Sequence, residues 1–114
     1  MFISCKKQDG IGVITLLDGL TAATVETFRI EFTGWQAAEE DVKNYVVDLS
    51  QVDFMDSAGL GTLVAMLKRV RERGGDMKVA GLQPKPQMVF EITRAYKVFD
   101  ICTSLEDAIE KFSE

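Results

Sequence analysis

The chain has 114 residues, 46% of them hydrophobic and 27% charged, a balance that fits one globular domain with its own core and excludes a disordered chain. Its formal net charge is −5, from 13 basic and 18 acidic residues, which argues against recognition of nucleic-acid phosphates. Histidine is absent, so Ser-His-Asp and Cys-His catalysis and the common zinc sites are excluded.

Residues 2–7 read as an extended strand, and Asp9-Gly10 is a strong two-residue turn signal. Residues 11–17 are apolar and β-branched, so the N-terminal part is predicted to be a β-hairpin. The start of the chain lacks the charged and apolar segments of a secretory signal. No apolar run approaches the ~20 residues of a membrane span, so a soluble cytoplasmic protein without membrane insertion is expected. Asp18-Gly19 closes the second strand, and Thr21 or Thr24 is placed to cap a helix. Val25, Phe28, Phe32 and Trp35 recur three or four apart and mark its buried face, while Gly34 weakens its last turns.

Residues 45–49 are short, apolar and β-branched, as a strand covered on both faces should be. A second helix is predicted from Ser57 to Arg73, with Leu60, Leu63, Val64, Leu67 and Val70 on its inner face and Gly74-Gly75 as its stop. Its basic end (Lys68, Arg69, Arg71 and Arg73) reads as a solvated terminus whose cations complement the helix dipole. Residues 77–82 form the next strand. Pro84 and Pro86 open a third helix with Met88, Val89 and Ile92 facing inward. Residues 97–102 make a last strand, and Ser104 caps a closing helix striped by Leu105, Ala108, Ile109 and Phe112. Cys5 and Cys102 show neither metal nor redox spacing. They are expected to be reduced core thiols and are candidates for neighbours in the sheet.

The predicted order β-β-α-β-α-β-α-β-α is that of a single α/β domain, residues 1–114, with a mixed, mostly parallel sheet and helices packed against it. A monomer is expected, since no heptad or long unprotected strand is evident.

The informative stretch runs from Tyr45 to Thr62, where a buried strand leads through a short loop directly into a helix that starts at Ser57. N–H groups in a first helical turn lack partners within the helix, and the dipole there is positive. Gly59 and Gly61 keep the turn uncrowded, so another molecule can approach. This suits a phosphoserine, which carries about −1.5 to −2 charge at pH 7. Asp53 and Asp56 would add repulsion, so the expected effect is a changed surface rather than a changed fold. Serine is also a favoured helix cap, and on local chemistry alone the cap is the stronger reading of Ser57. Thr62 lies a turn later and Ser50 at a turn, so both are weaker phosphate sites.

The segments Asp48-Leu49-Ser50, Val52, Phe54-Met55-Asp56-Ser57 and Gly59-Leu60-Gly61 resemble the signature of the STAS domain, and closely that of bacterial anti-sigma factor antagonists. The junction from Gly74 to Val79 and the later Pro86, Phe90, Phe99 and Ile101 extend the resemblance over almost the whole chain. It implies that Ser57 is phosphorylated by a partner that is both kinase and anti-sigma factor. The unphosphorylated form would bind that partner and release a sigma factor. A metal-dependent serine phosphatase would restore the free form. By the same resemblance Asp56 fixes the loop, and Met55, Ala58, Gly59, Leu60 and Gly61 lie in the contact surface with Ser57. The sequence departs from the family at two places. Thr21 stands where an acidic residue is frequent before the first helix, and Arg94-Ala95-Tyr96 replaces a Gly-Leu exit from the third helix.

No catalysis of its own and no cofactor are expected. The sequence lacks a P-loop, a Gly-x-Ser-x-Gly elbow and a usefully spaced carboxylate pair. The alternative to a phospho-switch is a STAS docking subunit of a transport or sensory complex with no phosphate cycle. The intact Asp-Ser-x-Gly core favours the switch, because docking alone needs no acceptor serine.

Overall fold

A computed structural model describes residues 2–113; Met1, where the expected absence of a signal segment begins, and Glu114 lie outside the described residues. The elements are β1 (Ile3–Gln8), β2 (Ile11–Leu16), α1 (Val25–Ala38), β3 (Tyr45–Asp48), α2 (Ser57–Glu72), β4 (Met77–Ala80), α3 (Pro84–Ile92), a 3-10 turn (Ala95–Lys97), β5 (Asp100–Cys102) and α4 (Leu105–Ser113). Strands lie side by side in chain order, β1 antiparallel to β2 and the remaining pairs parallel. The hairpin turns on Asp9 and Gly10, both at positive φ.

Each parallel crossover steps in the same direction along the sheet. Such crossovers are right-handed in nearly all proteins, which sends their helices to one face. Accordingly Phe28 and Phe32 of α1, Leu63, Leu67 and Val70 of α2 and Phe90 of α3 share one core with Ile14, Val47 and Val79 of the sheet. Each buried Leu or Phe of that layer contributes about 1.5–3 kcal/mol. Alternate strand residues Val13, Val46 and Ala80 face the other way, into a smaller core closed by Ala108 and Ile109 of α4. The central strand is therefore covered on both faces, as its composition predicts.

Lys78 belongs to that second layer. It is only 8% exposed, its Nζ lies 2.7 Å from Asp100 and 4.5 Å from the centre of the Phe112 ring. Asp100 also accepts a hydrogen bond from Lys111 at 3.3 Å. The Lys78 hydrogen bond holds the Asp100 carboxyl below the usual carboxylate range. Ser104 caps α4 as expected, accepting from the Asp107 N–H at 3.2 Å.

Several expectations are corrected. Residues 97–102 do not form one strand: Ala95–Lys97 make the 3-10 turn and only Asp100–Cys102 pair with β4. The inner face of α3 is Pro86 and Phe90, with Val89 half-buried; Met88 is 57% and Ile92 75% exposed. Phe90 takes the inward position because its ring packs edge-on against Phe99, centroids 5.5 Å apart. On α2, Val64 is exposed and Met66 fills the core instead. Helix α1 runs through Gly34 to Ala38. Cys5 and Cys102 sit on the opposite edge strands β1 and β5, too far apart to pair. Burial, then Glu31, pushes the Cys5 thiol up to about 11, and burial also raises Cys102.

The exit from α3 explains the Arg94 departure. Arg94 adopts the left-handed conformation, φ 60° and ψ 25°, which glycine occupies without steric cost. Arg94→Gly is therefore expected to raise unfolding stability by about 1 kcal/mol, read as a shifted urea midpoint at constant slope.

Candidate functional site

All the strand-to-helix loops leave the C-terminal edge of the parallel strands, the edge where open α/β sheets place their sites. Two of these loops, residues 17–24 and 49–56, are joined. The Leu20 N–H donates to the Phe54 carbonyl at 3.1 Å and the Asp56 N–H to the Leu20 carbonyl at 3.3 Å, so Leu20 and Met55 form an isolated parallel bridge.

Asp56 completes the junction. As the N-cap of α2 its carboxylate accepts the Gly59 N–H at 2.9 Å, and its second oxygen accepts the Ala22 N–H at 3.0 Å from the other loop. The hydrogen bonds from Gly59 and Ala22 hold its pKa below the usual carboxylate range. Ser57 is thus not the cap but the first residue of the helix. It is exposed, and its hydroxyl makes no hydrogen bond among the described residues. Of the two cap candidates, Thr21 and Thr24, Thr24 holds the N-cap position of α1 but makes no side-chain cap bond: its hydroxyl donates to the Gly19 carbonyl at 2.8 Å and accepts from the Thr21 N–H at 3.0 Å, tightening the loop rather than the helix. Thr21 is half-buried beside Ala22, and its own hydroxyl accepts from the Ala23 N–H at 3.2 Å.

A lowered Asp56 pKa has a defined sign. The stability Asp56 adds is complete above its unfolded pKa of about 3.9 and is lost as pH falls through the lower folded value. An asparagine in its place would still cap the helix but cannot titrate. In denaturant titrations the stability gap between wild type and Asp56→Asn is therefore expected to narrow as pH drops below about 4.

The remaining candidates separate by burial. Asp56, Ser57, Ala58, Gly61 and Thr21 reach solvent, whereas Met55 at 3% and Leu60 at 8% exposure pack into the core. Gly59 is buried too: a Cβ there would stand 2.1 Å from the Leu20 carbonyl oxygen. Its small size admits the neighbouring loop rather than a partner. Gly61, with nothing within 4 Å of a built Cβ, keeps open surface. Sequence reasoning left out Phe54, 51% exposed in the same loop, and Leu17, 42% exposed in the loop beside it. An aromatic residue standing among Asp53, Asp56 and turn residues was the available signal.

The family model for the STAS domain matches residues 2–108. This chain belongs to the STAS domain family. A protein of Bordetella bronchiseptica named as an anti-sigma factor antagonist, BtrV, is 27% identical over 98% of this STAS chain and 95% of its own. The crystal structure of an anti-sigma factor antagonist from Mycobacterium paratuberculosis superposes with a TM-score of 0.87 at 22% identity, covering 98% of this chain and 93% of that one. The antagonist SpoIIAA matches in its unphosphorylated form with a TM-score of 0.71 (18% identity, 97% of both chains). The phosphorylated form, from Bacillus, gives 0.70 (20% identity, 96% and 98%). The STAS fold and strand order are thus shared along the chain. Among the described residues no helix is long and apolar enough to cross a membrane.

Proposed function

We propose that this STAS protein is an anti-sigma factor antagonist, a single cytoplasmic domain over residues 1–114 whose Ser57 carries the control phosphate. The observation that carries this reading is the division of labour at the start of α2: Asp56 caps the helix and ties down the loops, which leaves the Ser57 hydroxyl exposed and unengaged. In the unphosphorylated state the surface made by Asp56, Ser57, Ala58, Gly61, Thr21 and Phe54 docks on an anti-sigma factor kinase, and the sigma factor is released. The kinase supplies ATP, the metal ion and the base that takes the Ser57 proton as the γ-phosphoryl group moves to Oγ and ADP leaves. A metal-dependent phosphatase reverses the modification with water, releasing inorganic phosphate. The chain acts as substrate and ligand, not as catalyst.

The near-equal match to unphosphorylated and phosphorylated SpoIIAA supports a modification that leaves the fold in place. The test is incubation with ATP, magnesium and the candidate kinase, followed by mass spectrometric mapping. Phosphate on Ser57, with loss of kinase binding, is expected. Tight binding with no phosphate transfer would replace this reading by the docking-subunit one.

A further inference from the structure

Strand β5 is one of the two edges of the sheet, and its pairing with β4 decides which of its backbone groups are left over. The Gly81 N–H donates to the Cys102 carbonyl at 3.3 Å, and in a parallel ladder only alternate residues of a strand bond to a given neighbour. Asp100 and Cys102 therefore turn their N–H and carbonyl groups toward β4, and Ile101 turns both of its own to the open edge. The half-buried Ile101 finds no backbone partner there among the described residues. Two residues earlier the Phe99 N–H is already taken by the Ala95 carbonyl at 3.0 Å, so the unpaired part of the edge starts at Ile101. An unpaired edge of this kind is a template for another extended chain.

The side chain of the same residue lines a cleft of about 670 Å³ shared with α3. Leu82, Phe90 and Ile101 give it apolar surface, and Tyr96, itself 49% exposed, adds an accessible aromatic ring. Gln87 and Glu91 supply the polar part, with Gln87 Nε2 donating to Glu91 Oε1 at 3.4 Å. That neutral partner leaves the Glu91 charge uncompensated, and Glu91 forms no ion pair among the described residues. It is the one charged side chain in the lining; Arg94 and Lys97, close to Tyr96 in sequence, do not line the cleft.

We propose that the β5 edge and this cleft together bind an extended segment of a partner protein, with an arginine or lysine side chain seated in the cleft. A strand added to β5 would lie about 4.8 Å from it and pair with the Ile101 N–H and carbonyl. Residues opposite each other in a ladder share a face, so the side chain opposite Ile101 stands where the Ile101 side chain does, over the cleft. The lining selects that residue. A long aliphatic stem covers Leu82, Phe90 and Ile101, while its cationic head meets Glu91 and the Tyr96 ring. An acidic side chain in the same place meets Glu91 and is rejected. The formal net charge of −5 favours basic segments at longer range. The cleft shares no residue with the Ser57 surface, and the proposal does not depend on that reading.

The experiment titrates the isotope-labelled full chain with the end-blocked pentapeptide Thr-Val-Arg-Val-Thr at millimolar concentration and follows amide shifts. Shifts are expected at 87, 91, 96 and 101–103. A glutamate-centred peptide should bind about tenfold more weakly, and so should a version N-methylated at its three central amides, which has lost main-chain donors. Glu91→Gln, at an exposed position, should weaken the arginine peptide about fivefold and leave an alanine-centred peptide unaffected. Equal binding of the arginine and glutamate peptides would overturn the proposal, as would the absence of shifts at these amides. Butylguanidinium binding as tightly as the pentapeptide would overturn it in favour of a small cationic ligand. Concentration-dependent shifts at 101–103 without peptide would overturn it in favour of a second copy of this chain paired through β5.

Discussion

Replacing Gly59 by alanine is expected to cost roughly 3 kcal/mol of stability, the upper part of the range for overpacking a fixed contact. The new Cβ would lie 2.1 Å from the Leu20 carbonyl oxygen and 2.8 Å from the Leu20 carbonyl carbon. Those are backbone atoms, so no change of rotamer relieves the clash. Leu20 is itself held, its N–H by the Phe54 carbonyl and its carbonyl by the Asp56 N–H. Either α2 must move out or the bridge between the loops must break. Gly61→Ala, two residues along, is the control: its Cβ meets nothing within 4 Å, and an exposed helical alanine should add about 0.5–1 kcal/mol. Urea unfolding of both variants measures this difference in sign. A Gly59→Ala protein as stable as wild type would mean that the loop junction yields easily and does not fix Ser57.

Phosphorylating Ser57 is expected to weaken partner binding at least about a hundredfold, equivalent to ~2.7 kcal/mol, with the unfolding midpoint nearly unchanged. The asymmetry follows from where the donors go. A phosphate at a helix N-terminus is ordinarily stabilised by free N–H groups. Here the Asp56 carboxylate already takes the Gly59 and Ala22 N–H groups. The added charge of about −1.5 to −2 therefore stays on the surface next to Asp53 and Asp56. A partner that closes over it must desolvate a dianion beside two carboxylates, which disfavours the complex while the domain itself loses little. Calorimetric titration of the two forms measures the ratio. Ser57→Ala should bind as wild type, and Ser57→Asp should bind more weakly, though a single carboxylate imitates phosphate poorly. Equal affinity of the phosphorylated and free forms would remove Ser57 as the control point.

Local patterns made the element order and the hairpin legible. Asp9-Gly10 is an unambiguous turn, and residues 45–48 are too short and too β-branched for a helix. The inner face of α3 was not legible. In nine residues it carries apolar side chains on two flanks, and packing against Phe99, beyond the end of α3, decides that Phe90 goes inward. The cap of α2 was ambiguous for a similar reason. Asp and Ser stand side by side and both cap well, so the choice falls to Ala22, an amide 34 residues away. Gly59 and Gly61 look alike in sequence, yet one is pressed against Leu20 and the other faces solvent. Local chemistry could place the candidate site on the right turn of chain; long-range packing decides which of its residues are free to act.

The side-by-side order of β1 to β5 bears on how the protein comes into being. Every strand pairs with the strand made just before it, and no pairing waits for a later segment to be inserted between earlier ones. Partners in the parallel ladders are never farther apart along the chain than Gly12 and Tyr45. Along the chain the sheet is extended from the β1–β2 hairpin by one strand and one crossover helix at a time, always on the side away from β1. The Leu20–Met55 bridge joins two segments that both precede α2 in the chain, so neither β5 nor α4 supplies a strand to it. The corner that holds Ser57 is thus encoded in the first two-thirds of the chain, and the last helix covers the far side of the sheet.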